Sequence, residues 1–366
     1  MKKKLFLAAT QVNVGKTTSS LGIYSALKRQ FPVVGYMKPV GQMYLTVNGV
    51  KADKDSVLMQ HHFHLEDALP DMSPITLPSG YTQKYIEKPD PSAIERQILE
   101  AFERLARGKD FMLIEGTGHA GVGSVVDFSN AAVARLLDVK VLIIAGGGIG
   151  QPIDEIILNK ALFNEKGVEV VGAILNKVRT DKLDKIKNVA GAGLERLGIP
   201  LLGCIPHDDE LTYPCMSQIL TGLEGKLISG EHSLENVIEK MVIGALPPHD
   251  ILDYFTGRTL LITPGNRDEI ILAAISSATS PDTASHEGSI GGIVLTCGMI
   301  PHGNIMKLLK KTGLPVVLVE DDTFTAATKT GKLIVKTRPN DQNKINRVIE
   351  LYNEHVNIEK LLDLIT

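Results

Sequence analysis

Residues 9–17 read Ala9-Thr10-Gln11-Val12-Asn13-Val14-Gly15-Lys16-Thr17, and their reading decides the fold. They follow the short apolar run Leu5-Phe6-Leu7-Ala8 and lead into Thr18 to Leu27, where apolar residues recur at helical spacing. A strand, a tight turn and a helix opened by Gly-Lys-Thr-Thr form the setting of a phosphate-binding P-loop. Backbone N–H groups over Asn13, Val14, Gly15, Lys16, Thr17 and Thr18 are then expected to face the phosphates. The helix dipole favours negative charge there. Lys16 would add a full positive charge for the β- and γ-phosphates, and Thr17 a hydroxyl for Mg²⁺. Thr10 stands where the standard pattern has its first glycine. The expectation is a chain that binds ATP or another nucleotide, with Mg²⁺.

Composition bounds the rest. A length of 366 residues suggests two domains. Apolar content of 43% is that of an ordinary globular chain. A net charge of −3 argues against general nucleic-acid binding, and Lys2-Lys3-Lys4 reads as a solvated strand entry. Cys204, Cys215 and Cys297 are irregularly spaced and fit reduced thiols in the cytoplasm. The first apolar run is too short for a signal peptide, and no stretch is long enough to cross a bilayer.

Strands and helices alternate through the first half. Strands are expected at 33–37, 111–114, 139–144, 168–175 and 201–205, with helices at 91–107, 129–137, 152–166 and 182–197. This alternation predicts a parallel sheet flanked by helices, with ligands beyond the carboxyl ends of its strands. A boundary is expected near Gly222-Leu223-Glu224-Gly225, giving domains 1–220 and 221–366. Beyond it the pattern restarts as a smaller α/β domain. Helices are expected over 234–243, 248–255, 267–277 and 303–312, and strands over 259–263, 293–296 and 316–319. A polar loop is expected over 280–288, and a helical tail from Asn343.

Four residues follow strands or open a helix where the sheet's ligand would bind. Lys38, in Lys38-Pro39-Val40, is either a second cation for phosphoryl transfer or a solvated strand-end lysine. Asp55 is either a Mg²⁺ ligand or the N-cap of the helix that follows. Glu115, in Glu115-Gly116-Thr117-Gly118-His119, is placed to hold Mg²⁺ or a water, while its glycines alone could mark a tight turn. Asn176 offers an amide to a nucleobase edge, or is an ordinary turn residue. His61, His62 and His64 lack a third ligand at a recognised spacing and read as surface or subunit contacts.

Taken in order, these motifs resemble dethiobiotin synthetase and the cobyrinic acid a,c-diamide synthases over roughly residues 1–220. The P-loop with its Thr10, Lys38-Pro39-Val40, Asp55 and Glu115-Gly116-x-Gly118 are similar to that family's successive motifs. The resemblance implies catalytic roles for Lys16, Lys38 and Glu115 and a Mg²⁺ site from Thr17, Asp55 and Glu115. It also implies adenine held by Asn176, with the segment ending at Pro206 running over the base, and a homodimer. Gln11 stands where partition-type ATPases carry an extra lysine, which argues against that group. Ile262-Thr263-Pro264-Gly265-Asn266-Arg267 and Asp322-Thr323-Phe324-Thr325 resemble a DRTGG-type domain. The pairing is similar to the N-terminal regulatory part of long phosphate acetyltransferases. Their acetyl-transfer domain does not follow here, so this chain alone is not expected to be a phosphotransacetylase.

The substrate positions depart from dethiobiotin synthetase. Val12, Gln42 and His119 stand where that family uses smaller or hydroxyl-bearing residues. The expectation is a nucleotide-sensing module whose second domain binds a small effector or a partner. The alternative is an ATP-dependent carboxylate–amine ligase. A structural subunit with a vestigial P-loop is the third reading.

Overall fold

In the computed structural model, residues 3–279 and 290–365 are described. The polar loop expected over 280–288 lies outside them. The chain divides into two compact units, 1–208 with 337–366, and 209–336.

The strands of the first unit are β1 (Lys3–Ala9), β2 (Val34–Met37), β3 (Val40–Gly41), β4 (Tyr44–Val47), β5 (Val50–Asp53), β6 (Ile75–Thr76), β7 (Phe111–Glu115), β8 (Val141–Gly146), β9 (Val170–Val178) and β10 (Leu201–Pro206). Six of them form one sheet in the order β10-β9-β8-β1-β7-β2, and every pair in it is parallel. Leu5 to Ala9 and Phe111 to Glu115 are all fully buried. Such unbroken burial is what strands covered by helices on both faces require, and explains why they read as plain apolar runs. Because the sheet is parallel, Thr10, Lys38, Glu115 and Pro206 come off the same edge, as does Asn176 near the end of β9.

A hairpin that the apolar pattern does not announce lies beside this edge. Strands β4 and β5 pair antiparallel around Asn48-Gly49, whose φ angles are +50° and +81°. Asn-Gly takes up these left-handed angles readily, which closes a two-residue turn. The hairpin delivers Asp53 directly to the start of the helix Lys54–Phe63.

The second unit is built on β11 (Lys226–Ser229), β12 (Lys240–Ile243), β13 (Thr259–Pro264), β14 (Ile290–Thr296) and β15 (Val316–Leu318), in the order β11-β15-β14-β13-β12. Only β11 runs antiparallel to its neighbour. Leu261, Ile270, Ile293 and Leu309 belong to one core cluster, and Leu260, Ile262, Val294 and Ala326 to another. The alternation along each strand sorts the two sets. The stretch expected as a helix over 234–243 instead follows a short 3-10 turn (Glu231–Ser233), bridges to Cys215 at Val237 and ends in β12. A short apolar run does not tell helix from strand by period alone, and parallel pairing with β13 decides it.

The tail differs from the domain division expected from sequence. The helices Gln342–His355 and Ile358–Ile365 belong to the first unit, not the second. Buried Ile345, Val348 and Tyr352 recur at helical spacing, which gives the longer helix one apolar face. Asn357 N–H donates to the Leu202 carbonyl at 2.8 Å, and Val356 bridges to Gly203, so the tail also covers part of edge strand β10. Among the described residues no helix is long and apolar enough to cross a membrane.

Candidate functional site

The P-loop closes at Gly15, whose φ of +95° makes it the left-handed N-cap of the helix Lys16–Gln30. Its carbonyl accepts from Thr18 Oγ1 at 2.6 Å and Ser19 Oγ at 2.9 Å. No side chain caps this helix, and its first turn carries no acidic residue. Its leading N–H groups and dipole are therefore left for an external anion. Thr10 Oγ1, at the entry to the loop, is buried without a hydrogen-bond partner. A buried orphan hydroxyl costs stability until something pairs with it.

Lys16 and Lys38 occupy the site in different electrostatic states. Lys16 makes no ion pair or hydrogen bond to any described residue. Burial pushes its ammonium down to about 8, with Glu115 pulling the other way. Lys38 is only 5% exposed and sits among three carboxylates. Its Nζ lies 3.1 Å from Asp53 and 3.5 Å from Glu115, and pairs with Asp55. Burial alone would depress it, but Asp55, Glu115 and Asp53 together hold it well above the usual lysine value. It is a permanent cation, neutralised by the protein.

Glu115 is fully buried at the tip of β7. Ser20 Oγ donates to its Oε2 at 2.5 Å and Tyr36 Oη at 2.9 Å, while Thr17 Oγ1 approaches Oε1 at 3.4 Å. Burial raises the Glu115 carboxyl, and Lys38 opposes that. The turn beyond it is pinned by Asn130, whose amide donates to the Thr117 carbonyl at 2.7 Å and the His119 carbonyl at 2.6 Å. Asn130 Oδ1 accepts from Thr117 N–H at 2.9 Å.

The N-cap of the following helix is Asp53, not Asp55. Asp53 Oδ1 accepts from Asp55 N–H at 2.9 Å, which leaves the Asp55 carboxylate turned to Lys38. Asp53, Ser20 and Tyr36 belong to none of the motifs read from the sequence. Ser20 lies three residues beyond Thr17, on the same helix face, and Asn48-Gly49 marks the hairpin that delivers Asp53. Both signals were present.

Asn176 lies at the P-loop too, but its amide is engaged there. Its Nδ2 donates to the Val14 carbonyl at 2.9 Å, and its Oδ1 accepts from Lys177 N–H at 2.9 Å. Lys177 Nζ donates to the Asn13 carbonyl at 2.8 Å. These bonds tie the loop to β9. Pro206 ends β10 beside Val178, on the same sheet edge. Val12, Gln42 and His119 are exposed.

The structure thus brings Lys16, Thr17, Lys38, Asp55 and Glu115 together, with the uncapped helix start beside them. Among the described residues no group of three or more His, Cys, Asp or Glu side chains is arranged to hold a metal by itself, the three histidines included. The donors at hand are hydroxyl and carboxylate oxygens. That set suits Mg²⁺, which takes one or two carboxylates and fills its shell with water and phosphate.

A family model described as an AAA domain, AAA_26, matches residues 3–214, and one described as a DRTGG domain matches 218–333. A phosphate acetyltransferase of Synechocystis is 30% identical over 382 residues, covering 99% of this chain and 52% of the relative. One of Nitratidesulfovibrio vulgaris is 28% identical over 370 residues, covering 99% and 51%. The chain spans about half the length of these curated relatives. A ParA family ATPase from Chlorobium tepidum is 18% identical, with a TM-score of 0.35 over 57% of this chain and 86% of that one. The expected pairing of a P-loop domain with a DRTGG domain is therefore found.

Proposed function

The chain belongs to the AAA_26 family of AAA domains, and from that premise we propose that it binds ATP with Mg²⁺ at its P-loop and acts as a nucleotide-sensing module. The observation that carries the reading is the contrast between the two lysines. Lys38 is neutralised by three carboxylates in direct contact, while Lys16, beside an uncapped helix start, makes no ion pair or hydrogen bond to any described residue. A triphosphate tail would supply the missing negative charge.

In this reading the N–H groups of the loop and Lys16 bind the phosphates, and Thr17, Asp55 and Glu115 hold Mg²⁺. When bound, Mg²⁺ would neutralise charge on the β- and γ-oxygens. Ser20 and Tyr36 orient Glu115, and Asp53 holds Lys38. Similarity to phosphate acetyltransferases, matched over about half their length, supports a regulatory role beside an acetyl-transfer activity. The DRTGG unit would take a small effector or a partner, and both sites would bias one equilibrium. A homodimer is part of the proposal.

The test is binding of ATP to the full chain with and without Mg²⁺, alongside ADP release assayed with a panel of carboxylates and diamines. The sensing reading expects saturable binding and slow release that the panel leaves unchanged. Release stimulated by one panel member would establish instead a ligase of the dethiobiotin synthetase kind.

A further inference from the structure

Neither family match reaches residues 334–366, yet the helix Gln342–His355 packs along the P-loop helix. Tyr352 is buried there. Its ring lies against Gly22 of the P-loop helix, where any Cβ would collide with it. Its hydroxyl reaches Ser19 Oγ at 2.5 Å. Ser19 Oγ in turn donates to the Gly15 carbonyl at 2.9 Å. A serine has one hydroxyl proton, and here it goes to Gly15, so Tyr352 is the donor to Ser19. Two hydrogen bonds, the first of them buried, thus run from the tail to the left-handed glycine that shapes the P-loop. At the other end of the same helix, Arg29 bonds Asn353.

We propose that Tyr352 is a positioning residue for the P-loop, and that the tail helix is a third part of the nucleotide site, one that touches no nucleotide. The Tyr352 hydroxyl fixes the Ser19 rotamer. Ser19 holds the Gly15 carbonyl, and with it the direction of the N–H groups that follow. The tail is also the segment by which the chain leaves the second unit. The proposal extends the nucleotide-binding reading, but its first readout is the conformation of the loop without nucleotide. The two can therefore fail separately.

The experiment is hydrogen–deuterium exchange on the full chain, without nucleotide, for Tyr352→Phe, Ser19→Ala, the double variant and Val348→Ala. Val348 is buried on the tail helix and has no hydroxyl. Loss of one hydrogen bond should speed exchange of amides 12–20 by about three- to tenfold in Tyr352→Phe, and Ser19→Ala, which removes both bonds, should speed it at least as much. The double variant should add little to Ser19→Ala. Val348→Ala should speed exchange in the tail helix and spare amides 12–20. Unchanged exchange at 12–20 in Tyr352→Phe would overturn the proposal. So would equal acceleration by Val348→Ala, which would make the tail mere packing. If Tyr352→Phe does not fold, Ser19→Ala decides in the same way. Where ATP binds, Tyr352→Phe should weaken it by a similar factor.

Discussion

Lys38 Nζ lies 3.5 Å from Glu115 Oε1, and both side chains are almost wholly out of water. Asp53 and Asp55 complete the neutralisation of that one ammonium. Removing one member of such a cluster leaves buried charge of the other sign without compensation. Lys38→Met should cost about 3–5 kcal/mol of stability, read by urea unfolding. The deficit has a definite pH sign. Burial already raises Asp53 and Glu115, and Lys38 is the main influence opposing that. In the variant their native values rise further above the unfolded range of about 4. Carboxyls raised in the native state stabilise it where they are protonated, and that stability is lost as pH rises through the native value. The deficit should therefore shrink from pH 8 to pH 5. A deficit that grows on acidification would contradict this account of the cluster.

Lys16 should give opposite pH trends for folding and for binding. Burial lowers it to about 8 in the native chain. The unfolded chain, with a lysine value of about 10.4, holds its proton longer. Between the two values the unfolded state binds more protons, so the stability of the unliganded protein should rise as pH rises there. ATP affinity should fall over the same window, because the phosphates need the charged ammonium. Thermal unfolding and titration calorimetry at pH 7, 8 and 9 read the two trends, which Lys16→Met should abolish.

Asn176 can be tested for which of two tasks it performs. Its amide holds the Val14 carbonyl. If that is its work, Asn176→Ala should weaken ATP and GTP by a similar factor of about three to ten, the worth of one hydrogen bond. A change confined to the ATP-to-GTP ratio would instead make it a reader of the base.

Asp53 and Asp55 should separate stability from metal dependence. Asp53→Asn alters both a cap and a buried charge, and should lower stability by about 1–3 kcal/mol. Asp55→Asn removes one counter-charge of Lys38 but leaves the Asp53 cap in place. It should leave the unfolding midpoint closer to wild type, while a larger share of its ATP affinity becomes independent of Mg²⁺. Calorimetry with and without Mg²⁺ measures the second effect.

Much of this was legible in the sequence, for identifiable reasons. The P-loop, Lys38 and Glu115 each follow an apolar strand, and a parallel sheet puts all such residues on one edge. That rule alone gathered residues as distant as 16 and 115. The tail was not legible. Its apolar face fits any partner of the right shape, and nothing in the residue pattern says that Tyr352 meets Gly22 rather than the second unit. Asp53 was hidden because capping depends on where the hairpin ends, one or two residues that periodicity does not resolve. The strand Lys240–Ile243 was hidden because its short apolar run suits helix and strand alike, and pairing with a neighbour decided it.

The central claim is that Lys16 awaits a phosphate. The direct measurement is titration calorimetry of ATP with Mg²⁺ into the full chain and into Lys16→Ala. The account predicts saturable binding by the native chain and a loss of about ten- to hundredfold in the variant, as expected for a charge-assisted hydrogen bond. Equal affinity in the two proteins, or no binding by the native chain, would contradict it.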